Sequence, residues 1–175
     1  MSDASESPKP DAKPDPKPAT PRKPAARSSR RRSREFALQG LYQWLVSGEE
    51  ADVVHAHIRE QDDFAKCDPA LFEALLRGCI AEASGLDAVL ARHVDRRTTL
   101  LSPVEHGVLL IGAYELTHSI EVPYRVVINE AVEVAKSFGG TDGHKYVNGV
   151  LDKAAADLRP TEVSAARLAR AKPAA

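Results

Sequence analysis

From Ala37 to Leu158 the apolar residues recur at helical spacing, and no stretch alternates apolar and polar for long enough to make a half-buried strand. That period confines the folded part to an all-α architecture. Leu38, Leu41 and Leu45 form a first stripe, with Ala37 and Trp44 beside it, and Gly48 stops the run, which predicts a helix over 31–47. A shorter helix is expected over 51–61. Asp68 as N-cap and Pro69 at the first helical position open a third, of about 25 residues, with Leu71, Phe72, Leu75, Leu76, Cys79, Ala83, Leu86, Val89 and Leu90 on one face. Ser102, Pro103 and Glu105 read as a capping box, and the helix behind them, to about His118, is apolar on nearly every side and therefore central. After Pro123 a further helix turns Val127, Ile128, Ala131, Val134, Ala135 and Phe138 inward and Arg125, Asn129, Glu133 and Lys136 outward, before Gly139 and Gly140 end it. The last stripe is Val147, Val150, Leu151, Ala154 and Leu158. The expectation is a compact helical bundle of about seven helices.

The flanks have a different composition. Prolines at 8, 10, 14, 16, 18, 21 and 24, with hardly an apolar side chain to bury, predict a disordered, extended tail over 1–26, which passes into a basic arm so that residues 1–29 lie outside the domain. The folded domain is then 30–158. Residues 159–175, Ala/Arg-rich after the helix-stopping Pro160, are expected to be a flexible C-terminal tail that forms at most a transient, undocked helix. No apolar run reaches the roughly 18 to 20 residues a membrane span needs, and no signal segment opens the chain. Cys67 and Cys79 make no disulfide framework, so a cytoplasmic, reducing setting is expected.

The net charge of −1 conceals an asymmetry. Residues 1–34 hold ten Lys/Arg against four Asp/Glu, and the rest holds fourteen against twenty-one, so the arm is +6 and the body −7. Within the arm Arg27, Arg30, Arg31, Arg32 and Arg34 form a comb whose guanidinium forks match phosphate oxygens and stack on exposed bases, chemistry suited to single-stranded RNA. A merely solubilising basic run is the plain alternative; Phe36, projecting off the apolar stripe toward Gln39 and Gln43, weighs slightly against it. A second candidate is the turn 139–146, Gly-Gly-Thr-Asp-Gly-His-Lys-Tyr. Its glycine spacing, the lack of Ser/Thr after Lys145 and the helix before it exclude a nucleotide-triphosphate loop. It could still receive one phosphate at a helix N-terminus beside Lys145, with Tyr146 stacking on a base. An ordinary interhelical turn is the alternative.

Catalysis and metal binding have little support. His55 and His57 point to different sides of a helix, no His or Cys pair has zinc-ligand spacing, and Cys79 falls on an apolar face as a packed structural thiol. No cofactor and no metal are expected. Glu115 falls on the Val104/Val108/Ile111 stripe, which leaves it either paired inside the core or at a surface that another protein covers.

Several separated motifs resemble, in order, the NusB family of bacterial transcription antitermination factors. They are Arg-Arg-Arg-Ser-Arg-Glu at 30–35, Leu41-Tyr42-Gln43-Trp44, Ala113-Tyr114-Glu115-Leu116, Val-Pro-Tyr-Arg-Val-Val-Ile-Asn-Glu-Ala at 122–131, Glu-Val-Ala-Lys-Ser-Phe-Gly at 133–139, and His-Lys-Tyr-Val-Asn-Gly-Val-Leu-Asp-Lys at 144–153. The resemblance implies two three-helix subdomains and a non-enzymatic factor that binds the boxA element of ribosomal RNA leader transcripts together with the ribosomal protein NusE, in the RNA polymerase antitermination complex with other Nus factors. Carried over, RNA contact falls on Arg30, Arg31, Arg32, Arg34, Asp142 and Tyr146, to which Lys145 is added here, and NusE contact on Tyr42 and Glu105. Two rival readings follow. One is a domain of a ribosomal RNA methyltransferase system, for which no cofactor-binding segment follows residue 158; the other is a purely protein-binding adaptor.

Overall fold

The computed structural model describes residues 25–138, 140 and 142–172, with side chains from Ser29 onward. Eight α-helices run through them: α1 (Ala25–Ser47), α2 (Ala51–Arg59), α3 (Pro69–Ala81), α4 (Ala83–Leu90), α5 (Pro103–His118), α6 (Tyr124–Phe138), α7 (Gly143–Leu158) and α8 (Pro160–Ala171). Short 3-10 turns occupy Asp62–Lys66 and Thr98–Leu100. The N-terminal caps follow the sequence. Asp68 Oδ1 accepts from the amides of Ala70 and Leu71 at 3.1 and 3.2 Å, and Ser102 Oγ accepts from that of Glu105 at 3.2 Å, each worth about 1 kcal/mol.

α1, α2 and α3 pack on one another, as do α5, α6 and α7, and α1 against α5 joins the two groups. This is the pair of three-helix subdomains. α5 is the centre: it touches α1, α3, α4, α6 and α7, and every residue from His106 to Ala113 is buried. Gly112 lets α7 come close, since a Cβ there would lie 2.5 Å from Leu151 Cδ1. Leu109, Leu110, Ile111 and Leu116 are at most 2% exposed, and full burial of such a side chain is worth roughly 1.5–3 kcal/mol.

Three expectations need correction. α1 starts at Ala25, so residues 25–29 are helical; Ala, Ser and Arg all tolerate a helix, and Pro24 is the first residue back along the chain that disfavours its interior. The rest of the expected disordered tail lies outside the described residues. The long third helix is two, broken at Glu82, where the weak helix formers Ser84 and Gly85 follow.

The C-terminal stretch is also docked. α8 packs on α7, and Val163 is 4% exposed. Arg159, in the segment expected to be flexible, is 6% exposed. Its guanidinium donates to the carbonyls of Leu116 at 2.7 Å, Glu115 at 3.0 Å, Ser119 at 2.7 Å and Val122, and to Glu162 at 3.2 Å. It thus adds a donor to the carbonyls at the end of α5 and along the turn to α6, two of which, Glu115 and Ser119, also accept from the Ser119 and Val122 amides. Glu162 in turn accepts from the Tyr124 amide at 2.8 Å, capping α6.

Candidate nucleic-acid interface

The first turns of α1 hold the arginines. Ser33, fully buried, donates from Oγ to the Asp68 carbonyl at 2.7 Å and accepts from the Asp68 amide at 2.8 Å, fastening this end of α1 to the start of α3. Around that anchor the side chains of Arg30, Arg31 and Arg32 keep 41, 34 and 39% of their surface. Arg30 lies 4.0 Å from Asp68. Arg31 forks onto Glu130 of α6 at 3.2 and 3.3 Å, and Arg32 reaches Asp63 at 3.0 Å and Glu35 at 3.4 Å. The pairs of Arg30 and Arg32, exposed as they are, are worth about 0–1 kcal/mol each, whereas that of Arg31 ends on the buried Glu130. They hold the guanidiniums in place while leaving donors for a phosphate.

Arg34, expected in the same comb, is a core residue. It is 3% exposed, its Nε and Nη2 donate to Glu115 at 2.9 and 2.7 Å, and Nη1 lies 3.8 Å from Glu130. A guanidinium enclosed by two carboxylates has no face for RNA, so Arg34 is withdrawn from the contact set. The same pair resolves Glu115, which is fully buried and paired inside the core. Phe36 is likewise inward, 3% exposed and 5.6 Å from the Phe64 ring, and lends no support to base stacking. The side chain of Arg27 lies outside the described residues.

The turn before α7 forms a second cluster. Exposed Asp142 stands at the N-cap and pairs with Lys145 at 3.2 Å. Half-buried Tyr146 donates from its hydroxyl to Asp95 at 3.0 Å, and the Arg96 guanidinium sits over its ring at 5.4 Å while holding Asp95 at 2.8 and 3.1 Å. The Arg96 fork first, and the tyrosine hydroxyl second, bring the Asp95 carboxyl down to about 2. Burial, and then the bond to Asp95, push the Tyr146 phenol up. One ring face is therefore covered by a surface cation that a base would displace or stack opposite.

Tyr42, 47% exposed, lines an apolar groove of about 270 Å3 with Leu38, Val104 and Phe138. Glu105 follows Val104 and borders Gly143 at the α7 N-terminus. The two residues expected at a partner surface thus share one neighbourhood. Phe138, expected to point inward, is 40% exposed and helps form that groove, because it lies on the last turn of α6 beyond the core. From Arg31 to Tyr42 is eleven residues of α1, about 16 Å at helical rise. Comb and turn are therefore separate patches, with the Tyr42 groove beside the turn.

A model of the NusB family matches residues 31–156. The chain belongs to the NusB family. The transcription antitermination protein NusB of Bordetella pertussis is 57% identical over 145 residues, 81% of this chain and 94% of its own length. That of Cupriavidus pinatubonensis is 50% identical over 167 residues, 95% of this chain and 100% of its own. Among solved structures, T. maritima NusB is similar with a TM-score of 0.66 at 28% identity, covering 77% of this chain and 96% of that one. A complex of the antitermination factors NusB and NusE with double-stranded RNA is similar at a TM-score of 0.64 and 21% identity, covering 73% and 96%, and bears on the fold alone.

Three residues of this NusB-family chain escaped sequence reasoning, Ser33, Arg96 and Arg159, and a fourth, Phe138, was assigned to the core. Ser33 was within reach, since it stands four residues before Ala37 on the inward face. Arg96 had no local signal, because its partner Tyr146 is fifty residues away in sequence.

Proposed function

We propose that the chain is a transcription antitermination factor. In this reading it receives the single-stranded boxA element of ribosomal RNA leader transcripts on the outer face of α1 and holds the ribosomal protein NusE at the Tyr42 groove, within the RNA polymerase antitermination complex with other Nus factors. The observation that carries it is the trio Arg30, Arg31 and Arg32, fixed at the surface by acids of their own fold and by the Ser33 anchor beneath. Asp142, Lys145 and Tyr146 form a second contact at the start of α7, apart from the comb, for a strand long enough to reach both. Tyr42 and Glu105, joined by Phe138, face NusE, and a body of −7 suits a basic ribosomal partner. The chain is read as a non-enzymatic scaffold in the cytoplasm. Burial pushes the Cys79 thiol up, which disables it as a nucleophile. Among the described residues no helix is long and apolar enough to cross a membrane.

The test replaces Arg31 and Arg32 together by Ala and follows boxA RNA by fluorescence anisotropy. Affinity should fall about tenfold or more, and the log–log salt slope should flatten by roughly 1.4, at about 0.7 per lost phosphate contact. A duplex of the same sequence should bind more weakly than the single strand. Unchanged affinity and slope would remove the RNA role of α1 and leave a protein adaptor that captures NusE alone.

A further inference from the structure

On the far side of α6 from the comb, α6, α7 and α8 enclose a polar groove of about 400 Å3. Arg125 and Asn129 line it from α6, Asn148 and Asp152 from α7, and Arg167 and Arg170 from α8. Among the described residues five arginines have no carboxylate at salt-bridge distance, namely Arg59, Arg97, Arg125, Arg167 and Arg170. Three of the five converge here, against a single aspartate. Arg125 is also oriented: its Nε donates to the Tyr124 hydroxyl at 3.1 Å and its guanidinium lies 5.6 Å from that ring. Elsewhere many surface arginines are neutralised, as Arg77 is by Asp52 and Glu73 and Arg92 by Asp157. Unpaired guanidiniums on a concave wall repel one another and concentrate positive potential, which an anion relieves.

The position narrows the anion. Asn129 is the neighbour of Glu130, the residue that holds Arg31, so comb and groove are separated by the crest of one helix, roughly 10–12 Å across. Arg167 and Arg170 lie beyond residues 31–156, the span that the family model matches. We propose that this groove is a second phosphodiester site, taking the RNA strand after it crosses α6 from the comb. The inference rests on the RNA reading above. Guanidinium forks bind the phosphate oxygens, and the two asparagine amides are free to meet base edges.

The experiment compares a core boxA RNA with versions extended at either end by about six nucleotides, roughly 20 Å at about 3.4 Å per nucleotide. One extension should tighten binding to the wild-type chain about tenfold. The variant Arg167→Ala with Arg170→Ala should lose that gain, keep core-RNA affinity, and flatten the extended RNA's salt slope by roughly 1.4. Arg125→Ala, on α6, should also lose the gain, which separates lost contacts from an undocked α8. Core binding without gain from either extension, or a gain that both variants keep, overturns the groove alone. A wild type that binds no core RNA overturns the comb and the groove with it. AMP or inorganic phosphate occupying the groove by NMR while neither extension helps would reassign it to a free phosphate. Poly-glutamate binding there without competing against the extended RNA would reassign it to an acidic protein.

Discussion

Arg34 and Arg159 sit inside the molecule, 3 and 6% exposed, with their donors turned onto a carboxylate and onto backbone carbonyls at a helix end. Arg30, Arg31 and Arg32 stand a turn or less from Arg34 and keep a third or more of their side-chain surface. The residue type is the same and the role is opposite. What separates them is the helical face. Position 34 points at α5, where only a paired charge is tolerable, whereas 31 and 32 keep their guanidiniums at the surface, 31 reaching inward to the buried Glu130 and 32 outward to the exposed Asp63, where water or a phosphate competes for their remaining donors.

That contrast is broken most directly at Arg34. Arg34→Ala leaves Glu115 buried and unpaired and should cost about 3–5 kcal/mol in urea unfolding. Below the unfolding range, the folded protein should bind boxA RNA as wild type does. Arg34→Lys should rescue little, since an ammonium cannot fork onto Glu115. RNA affinity lost at unchanged stability would return Arg34 to the comb. Arg159→Ala should follow, at about 1–3 kcal/mol, because the Leu116 carbonyl loses its side-chain donor and those of Glu115 and Ser119 keep only their backbone ones. Limited proteolysis should then cut within α8 well before the rest of the domain. Equal protection of α8 in both proteins would mean that its docking depends on Val163 and not on the arginine. The Arg31 and Arg32 double variant should likewise cost less than Arg34→Ala, about 1–3 kcal/mol, because buried Glu130 loses Arg31 but keeps Arg34 at 3.8 Å, while its RNA binding falls.

Much of this was legible in the sequence. The apolar period gave the all-helical class and the central place of α5, though about seven helices were expected and eight are found among the described residues, and the caps at Asp68 and Ser102 lie where the side-chain chemistry predicts them. The comb was legible as composition but not as geometry. Five arginines in eight residues say nothing about which one a neighbouring helix will surround, and Glu115, eighty-one residues from Arg34 in sequence, decides it. Arg159 was hidden for the same reason. Apart from Glu162 its partners are backbone carbonyls, which every residue has, so no side-chain pattern announces its burial. Phe138 and Phe36 were misassigned in opposite senses because a helical wheel ignores where the core ends along the axis. Phe138 overruns it, and Phe36 meets the 3-10 turn at Phe64.

The smallest effect should come at Tyr146, where the surface contrast can be sharpened to single atoms. Its hydroxyl and the Arg96 fork share Asp95, and the fork is the larger cause of that carboxyl's low value of about 2. In Tyr146→Phe the carboxyl should rise, yet stay below the ordinary aspartate value of about 3.9. A depressed carboxyl stabilises the fold above the unfolded value, and that contribution fades as pH falls toward the folded one. With the hydroxyl gone the two values approach each other, so the contribution shrinks and its acid window narrows. RNA affinity should hardly change, since stacking needs the ring face and Arg96 still borders it. Tyr146→Ala removes the ring and should cost about 1–3 kcal/mol of RNA binding, tenfold or more. An NMR titration of Asp95 and anisotropy on both variants separate these effects. If Phe binds RNA as poorly as Ala, the contact is through the hydroxyl and the stacking assignment fails. If Asp95 returns fully to its ordinary value in Tyr146→Phe, Arg96 does not hold it, and the cation over the ring is free to move aside for a base.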